Sequence, residues 1–399
     1  MDVLVISYTA PVIASSWGIS SKTLGVVFSS GVLGMAIGAL FLAPFADKLG
    51  RKKIILISVT IISFGVLLTG FSKNIFHLIS LRLLSGIGIG TILASTVSLV
   101  SEYTPNRSKD FWISFVLAGF PLGAIFAGYL SNFILLKYSW QSVYIAFGTL
   151  SLIFIPIVYF FLWESIDFLI KRQPVNALSH INKILYKLNF MNIDTLPTHK
   201  NQSNQIPVKR LFKKTYIDST LKLWSAFFFS FACLYFLISW IPKMITEMGL
   251  SLELGIYSGT IFNVGAFFGI ITQGYFSSRF GLKKIISIFL ILTCILMTQI
   301  QYFLGSDLML FVFCILGFTI QGGFVGLYAV AARIYPTEFR TTGVGWSIGA
   351  GRLGAVIGPL TGGVLIGAGL TISMNFMIFG VTALVSGILT YMISFPKTK

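Results

Sequence analysis

Long apolar runs alternate with short polar breaks along almost the whole chain. A helix needs about 20 apolar residues to cross the hydrocarbon core of a bilayer, and about twelve runs approach that length. Because most of the breaks are only brief turns, consecutive runs predict antiparallel neighbouring helices. The pattern therefore predicts an all-α polytopic membrane protein.

One extended polar stretch divides the chain. It predicts an N-terminal six-helix half at residues 1–163, a cytoplasmic linker at 164–219 and a C-terminal six-helix half at 220–399. Within the linker, apolar side chains recur at helical spacing over residues 177–188. This spacing predicts an amphipathic helix that lies at the inner membrane surface.

The first apolar run is short. Residues 1–17 supply only about 24 Å of helix at 1.5 Å per residue, against a hydrocarbon thickness of about 30 Å. Helix 1 is therefore expected to lack its inner half, either because translation begins upstream of Met1 or because the product is truncated. No charged segment or small-residue cleavage site precedes the run, so no cleavable signal peptide is expected.

Composition excludes a soluble domain, since 55% of the 399 residues are hydrophobic and 10% are charged. The net charge of +17 could suggest a nucleic-acid partner. However, most cations fall in alternate loops, as expected for cytoplasmic loops. This distribution predicts that both termini lie in the cytoplasm, that the surroundings are the lipid bilayer of the inner membrane, and that no nucleic acid binds. The three cysteines lie singly in apolar runs, so neither disulfides nor a metal site is expected.

The second run ends in a distinctive loop. Gly38 lies within the run, Asp47 follows it, and Gly50 and Arg51 open a cluster of cations. Asp47 and Arg51 are four residues apart, close enough to pair or to cap neighbouring helix ends. Gly50 permits a tight reversal, and Gly38 permits a close helix contact. The alternative interpretation is a merely basic inner loop.

This loop resembles the signature of the major facilitator superfamily, G-x(6–8)-D-(R/K)-x-G-R-(R/K). Residues 274–284 repeat it in the second half, with Ser278 in place of the acid. The resemblance implies a major facilitator fold of twelve helices in two halves, which transports by alternating access around a midplane site. The loop with Gly38, Asp47, Gly50 and Arg51 is interpreted as a conformational latch. It is expected to close on the start of the eleventh predicted membrane helix, near Thr341.

A Gly-x-Gly-x-Gly run follows Arg82. A dinucleotide-binding loop would need a preceding strand and a helix N-terminus open to water, whereas these glycines lie inside an apolar helix. Close helix packing explains them better.

Several segments resemble the aromatic acid/proton symporter branch of the superfamily. They are residues 1–4, 101–105, 163–169, 234–242, 321–328, 335–346 and 349–359. The resemblance implies proton-coupled uptake of a small organic, aromatic carboxylate by a functional monomer that uses the proton gradient and no cofactor. Another facilitator activity, such as drug or metabolite efflux or sugar or metabolite uptake, is the alternative. A membrane enzyme or a sensor is disfavoured, because no intramembrane His/Glu metal pattern, Ser/His pair or signalling domain is visible.

Charged residues inside apolar runs are functional candidates because burying an unpaired charge in a bilayer is costly. Arg352 could hold a substrate carboxylate by a bidentate pair, and Arg82 could assist it. A structural partnership is the alternative for both. Asp2 could couple protons, because a proton and a substrate would compete for the same cation; fraying at the short N-terminus is its alternative.

Aromatic residues could stack on a substrate ring. The candidates are Tyr235, Trp240, Phe324 and Tyr328, with Phe120 and Trp346 as further ones. Ordinary packing in the core or against lipid is the alternative for each of them.

Overall fold

A computed structural model describes residues 2–105, 112, 115–196, 211–336 and 340–395. The regular secondary structure in these ranges is helical. Eleven of the described helices are long and apolar enough to cross a membrane, and Leu4–Trp17 adds a shorter apolar helix. The predicted all-helical membrane architecture is confirmed. The number and length of the helices do not test the predicted division into two six-helix halves, which stays a prediction.

The helices are numbered in chain order. Those before the linker are α1 (Asp2–Trp17), α2 (Ser21–Leu49), α3 (Arg51–Thr69), α4 (Ile75–Tyr103), α5 (Gly119–Leu135) and α6 (Trp140–Phe161). Two short helices follow, α7 (Ile166–Arg172) and α8 (Ala177–Lys187). The remainder are α9 (Ile217–Glu247), α10 (Leu252–Phe280), α11 (Leu282–Gln299), α12 (Met309–Ile334), α13 (Arg340–Gly367) and α14 (Ile372–Met392).

The described helices form two compact units. The larger unit contains α1, α2 as far as Val32, α5 and the helices α9 to α14. The smaller unit contains α2 from Leu33, α3, α4, α6 from Tyr144, and the two short helices.

Glycines set the helix spacing in the smaller unit. A Cβ added to Gly38 would strike the carbonyl of Ile87 on α4, and one added to Gly90 would strike the carbonyl of Met35 on α2. One added to Gly88 would lie 2.8 Å from the carbonyl oxygen of Ser58 on α3. The glycines of α2 and α4 therefore serve close helix packing, as predicted, and α4 begins after an extended Asn74 without any preceding strand.

The amphipathic helix α8 forms as predicted, but protein covers its apolar face. Ile181 and Ile184 are buried in one cluster with Phe168 and Leu169 of α7. This packing explains the helical spacing of apolar residues without requiring the membrane surface.

Candidate functional site

Arg352 lies near the middle of the 28-residue helix α13. Its guanidinium Nη1 donates a hydrogen bond of 3.2 Å to the hydroxyl of Tyr235 on α9. The guanidinium carbon also lies 5.5 Å from the ring centroid of Phe231, one turn earlier on α9. A cation deep in an apolar helix is thus held between a hydroxyl and an aromatic ring.

Five aromatic side chains from two helices meet beside this arginine, and we call them the aromatic cluster. They are Phe227, Phe231 and Tyr235 of α9 and Phe324 and Tyr328 of α12. The ring centroids of Phe231 and Phe324 are 4.6 Å apart in an edge-to-face pair, and those of Phe227 and Tyr328 are 5.3 Å apart.

The local sequence makes this arrangement possible. Phe227, Phe231 and Tyr235 are spaced by four residues, which places them along one face of α9. A Cβ added to Gly351 would overlap the ring of Phe231, so only glycine at this position lets α13 lie against that ring. The sequence analysis missed Phe227 and Phe231, although the four-residue spacing up to Tyr235 is a signal that could have found them.

The arrangement has the chemistry to bind an aromatic carboxylate. A guanidinium can pair with both oxygens of a carboxylate, and aromatic walls favour stacked or edge-to-face contact with a planar ring. Phe231 is 1% exposed and lies against the guanidinium, and the rings of Tyr235 and Phe324 are buried beside it.

Trp240 lies apart from this chemistry. Its ring is fully buried, its indole N–H donates to the carbonyl of Pro359 at 3.0 Å, and Phe28 packs edge-on at 5.1 Å. This environment favours the packing alternative for Trp240. Trp346 is 49% exposed and stacks on Trp224 at 6.1 Å.

The two other charged candidates differ in what surrounds them. Arg82 of α4 is 2% exposed, donates to Ser85 at 3.3 Å and lies 5.5 Å from the ring centroid of Tyr144. Asp2 is the first residue of α1, and its side chain lies outside the described part of the chain. The roles proposed for both residues stay predictions.

A second polar site lies at the loop between α2 and α3. Arg51 contacts Asp47 at 3.3 Å, as predicted, and it also pairs with Glu102 at the end of α4 at 2.6 Å. Ser165 donates a hydrogen bond to the other carboxylate oxygen of Glu102. The loop therefore connects to the end of α4 and, through Glu102, to the start of α7.

Glu164 completes this site by capping a helix. Its carboxylate accepts from the backbone N–H of Lys52 at 3.1 Å, in the first turn of α3, where a negative charge is favoured. Gly50 has φ +99°, and a Cβ there would overlap this carboxylate, so glycine is required for two reasons. The sequence analysis singled out the segments of Glu102 and Glu164 without a role. A signal for such a role is present in the sequence, because Glu102 and Glu164 each follow a long apolar run and precede basic residues.

Helices from the two ends of the chain are joined within the larger unit. Ser7 of α1 donates to the carbonyls of Ile238 and Ser239 on α9 at 2.6 and 3.0 Å. Ser29 of α2 donates to the carbonyl of Val356 on α13 at 2.7 Å. A Cβ on Gly25 would lie 3.0 Å from the carbonyl oxygen of Pro359. Through these contacts, α1 packs against α9 and the first part of α2 packs against α13.

The sequence matches known transporters over nearly its full length. It is 34% identical to a gallate transporter of Pseudomonas putida over 391 residues, which cover 96% of this chain and 86% of that protein. It is 30% identical to a 4-hydroxybenzoate transporter of Pseudomonas aeruginosa, with 92% of this chain and 83% of that protein covered. A benzoate transport protein of Acinetobacter baylyi is 28% identical, with 98% and 86% covered.

The fold matches solved transporters as well. A D-xylose-proton symporter superposes with a TM-score of 0.76 at 16% identity, covering 100% of this chain and 95% of that one. The sequence profile of the Major Facilitator Superfamily matches residues 1–274 and 258–399. Together with the fold, this match shows that the chain belongs to the Major Facilitator Superfamily.

Proposed function

We propose that this protein imports aromatic carboxylates together with protons by alternating access. The observation that carries the proposal is the pairing of Arg352 with Tyr235 inside the aromatic cluster. This arrangement offers one cation for a carboxylate and several ring faces for an arene. The named activities of the gallate, 4-hydroxybenzoate and benzoate relatives support the same substrate class.

The proposed setting is a bacterial cytoplasmic membrane, with both termini in the cytoplasm and transport without covalent catalysis. In this orientation, α1 ends and α2 begins outside. The contacts from Gly25 and Ser29 to α13 then lie toward the outer face, where they would close the path to the exterior. Import requires that these contacts open and re-form in each cycle.

Proton coupling is proposed from competition for a cation. Asp2 is the acidic candidate in a spanning helix, and its ionised form would compete with the substrate carboxylate for an arginine. Protonation of Asp2 would release the arginine for the substrate, so that the two bind together.

Competition experiments test the substrate class. Purified protein in proteoliposomes is given labelled 4-hydroxybenzoate with an inward proton gradient, and unlabelled acids or amides are added. Other hydroxybenzoates should compete, whereas 4-hydroxybenzamide, which has the same ring without the charge, should not. Equal competition by the amide would contradict binding through a carboxylate.

A further inference from the structure

Gln321 is a buried amide on α12, three residues before Phe324 of the aromatic cluster. The residue is 4% exposed. Gln321, Phe324 and Tyr328 are spaced by three and four residues, so they lie on one side of the helix. This is the side that contacts Phe227 and Phe231 of α9.

The register of α9 and α12 fixes the level of Gln321. Phe227 pairs with Tyr328, and Phe231 pairs with Phe324, so a step of four residues forward on α9 matches a step of four back on α12. The next step on α9 reaches Tyr235, whose hydroxyl accepts from Arg352. The same step back on α12 ends within one residue of Gln321.

The amide oxygen of Gln321, Oε1, is buried without a hydrogen-bond donor in the described part of the chain. A buried hydroxyl can donate to a carbonyl of its own helix, as Ser347 does to Gly343 at 2.8 Å. An amide oxygen can only accept, and the N–H groups in a helix interior already donate to carbonyls one turn earlier. Oε1 therefore needs a donor from outside α12.

We infer that Gln321 accepts a hydrogen bond from a phenolic hydroxyl, and that the site selects hydroxylated aromatic acids over unsubstituted ones. The inference rests on the proposed function, since it places the substrate carboxylate on Arg352 and the ring against the aromatic cluster. An acid without the hydroxyl leaves Oε1 unpaired in the closed site. Sites with a buried acceptor reject analogues that lack the donor.

The test compares two substrates in the same protein. The ratio of kcat/KM for the better of 3- and 4-hydroxybenzoate to that for benzoate is measured in proteoliposomes. This ratio does not depend on the amount of folded protein. Wild type should favour the hydroxylated acid by about tenfold, and Gln321→Leu should bring the ratio close to one. Gln321→Met, with a side chain of similar length, serves where the leucine variant does not accumulate.

Gln273→Leu is the matched control. Gln273 is also a buried glutamine of the larger unit, at 5% exposed, but its amide already donates to Ser277 at 2.7 Å on its own helix. Its substitution should leave the ratio at the wild-type value.

The outcomes separate this inference from the proposed function. A wild type that transports both acids with equal kcat/KM, or a Gln321 variant with an unchanged ratio, overturns the inference and leaves the proposed function standing. A wild type that transports no aromatic acid contradicts both.

Discussion

Arg51 Nε lies 2.6 Å from Glu102 Oε1, and this ion pair joins the start of α3 to the end of α4. Both side chains are nearly buried, at 10% and 12% exposed, whereas Asp47, the other partner of Arg51, is 74% exposed. Arg51 is therefore held mainly by the carboxylate at the end of α4. Asp47 stays accessible to another partner.

Glu102→Gln tests the stabilising role of this pair. The variant keeps the shape but leaves the buried Arg51 without its main counter-charge, which costs about 3 kcal/mol when one partner of a buried pair is removed. Thermal unfolding of the purified protein should occur at a clearly lower temperature. Asp167→Asn is the control, because its pair with Lys171 is about half exposed and such pairs contribute little. Equal stability of the two variants would contradict this assignment.

Asp47→Asn tests the latch. The substitution removes a charge from an exposed side chain and should cost about 1–3 kcal/mol in the balance of conformational states, as for a charged hydrogen bond. We expect strongly reduced uptake at a normal protein level, with a shift toward inward-open accessibility. Ser278→Ala, at the matching position of the second copy, should have little effect. Normal uptake by Asp47→Asn together with loss of uptake in Ser278→Ala would show that the latch assignment is wrong.

Gly38→Ala tests the close packing of α2 on α4. The added methyl group would strike the carbonyl of Ile87, so the helices must separate and the amount of folded protein in the membrane should fall severalfold. Gly274→Ala is the matched control from the repeated motif, because a Cβ there meets nothing within 4 Å. Membrane levels by immunoblot and fluorescence-detected gel filtration measure the difference, and similar levels for both variants would refute the packing argument.

Arg352→Lys tests the geometry of the carboxylate site. Lysine keeps the charge but loses the planar fork, and hydrogen bonds to charged groups contribute about 1.5–3 kcal/mol, so kcat/KM should fall about tenfold to a hundredfold. Arg333→Lys is the control, since Arg333 is exposed in the last turn of α12. If both variants transported like the wild type, a bidentate pair at Arg352 would be excluded.

The sequence predicted the helices well because membrane helices are specified by length and apolarity alone. The pairing of Arg51 with Asp47 was also predictable, since only the tight turn at Gly50 separates the end of α2 from the start of α3. Contacts between residues that are distant in sequence were not predictable. Neither Arg51 with Glu102 nor Glu164 with Lys52 follows from spacing, because helix packing alone brings these positions together.

The same limit applies to the candidate substrate site. Arg352 could be singled out from the sequence because a charge in an apolar helix is rare. A single aromatic residue could not, because aromatic residues make up 15% of the chain. Only the structure distinguishes Phe231, which lies against Arg352, from Trp240, whose N–H is occupied by Pro359. The register that places Gln321 level with Tyr235 likewise requires the pairing of α9 with α12.

The most direct measurement is uptake of labelled 4-hydroxybenzoate into proteoliposomes under an inward proton gradient, with and without a protonophore. The account predicts accumulation above the external concentration in wild type and its collapse with the protonophore. The initial uptake rate should be about tenfold to a hundredfold lower in Arg352→Lys, while Arg333→Lys takes up the acid normally. Because the weak acid can cross lipid in its neutral form, protein-free liposomes set the baseline. Uptake no greater than this baseline, or uptake by the protein that does not respond to the gradient, would contradict the account.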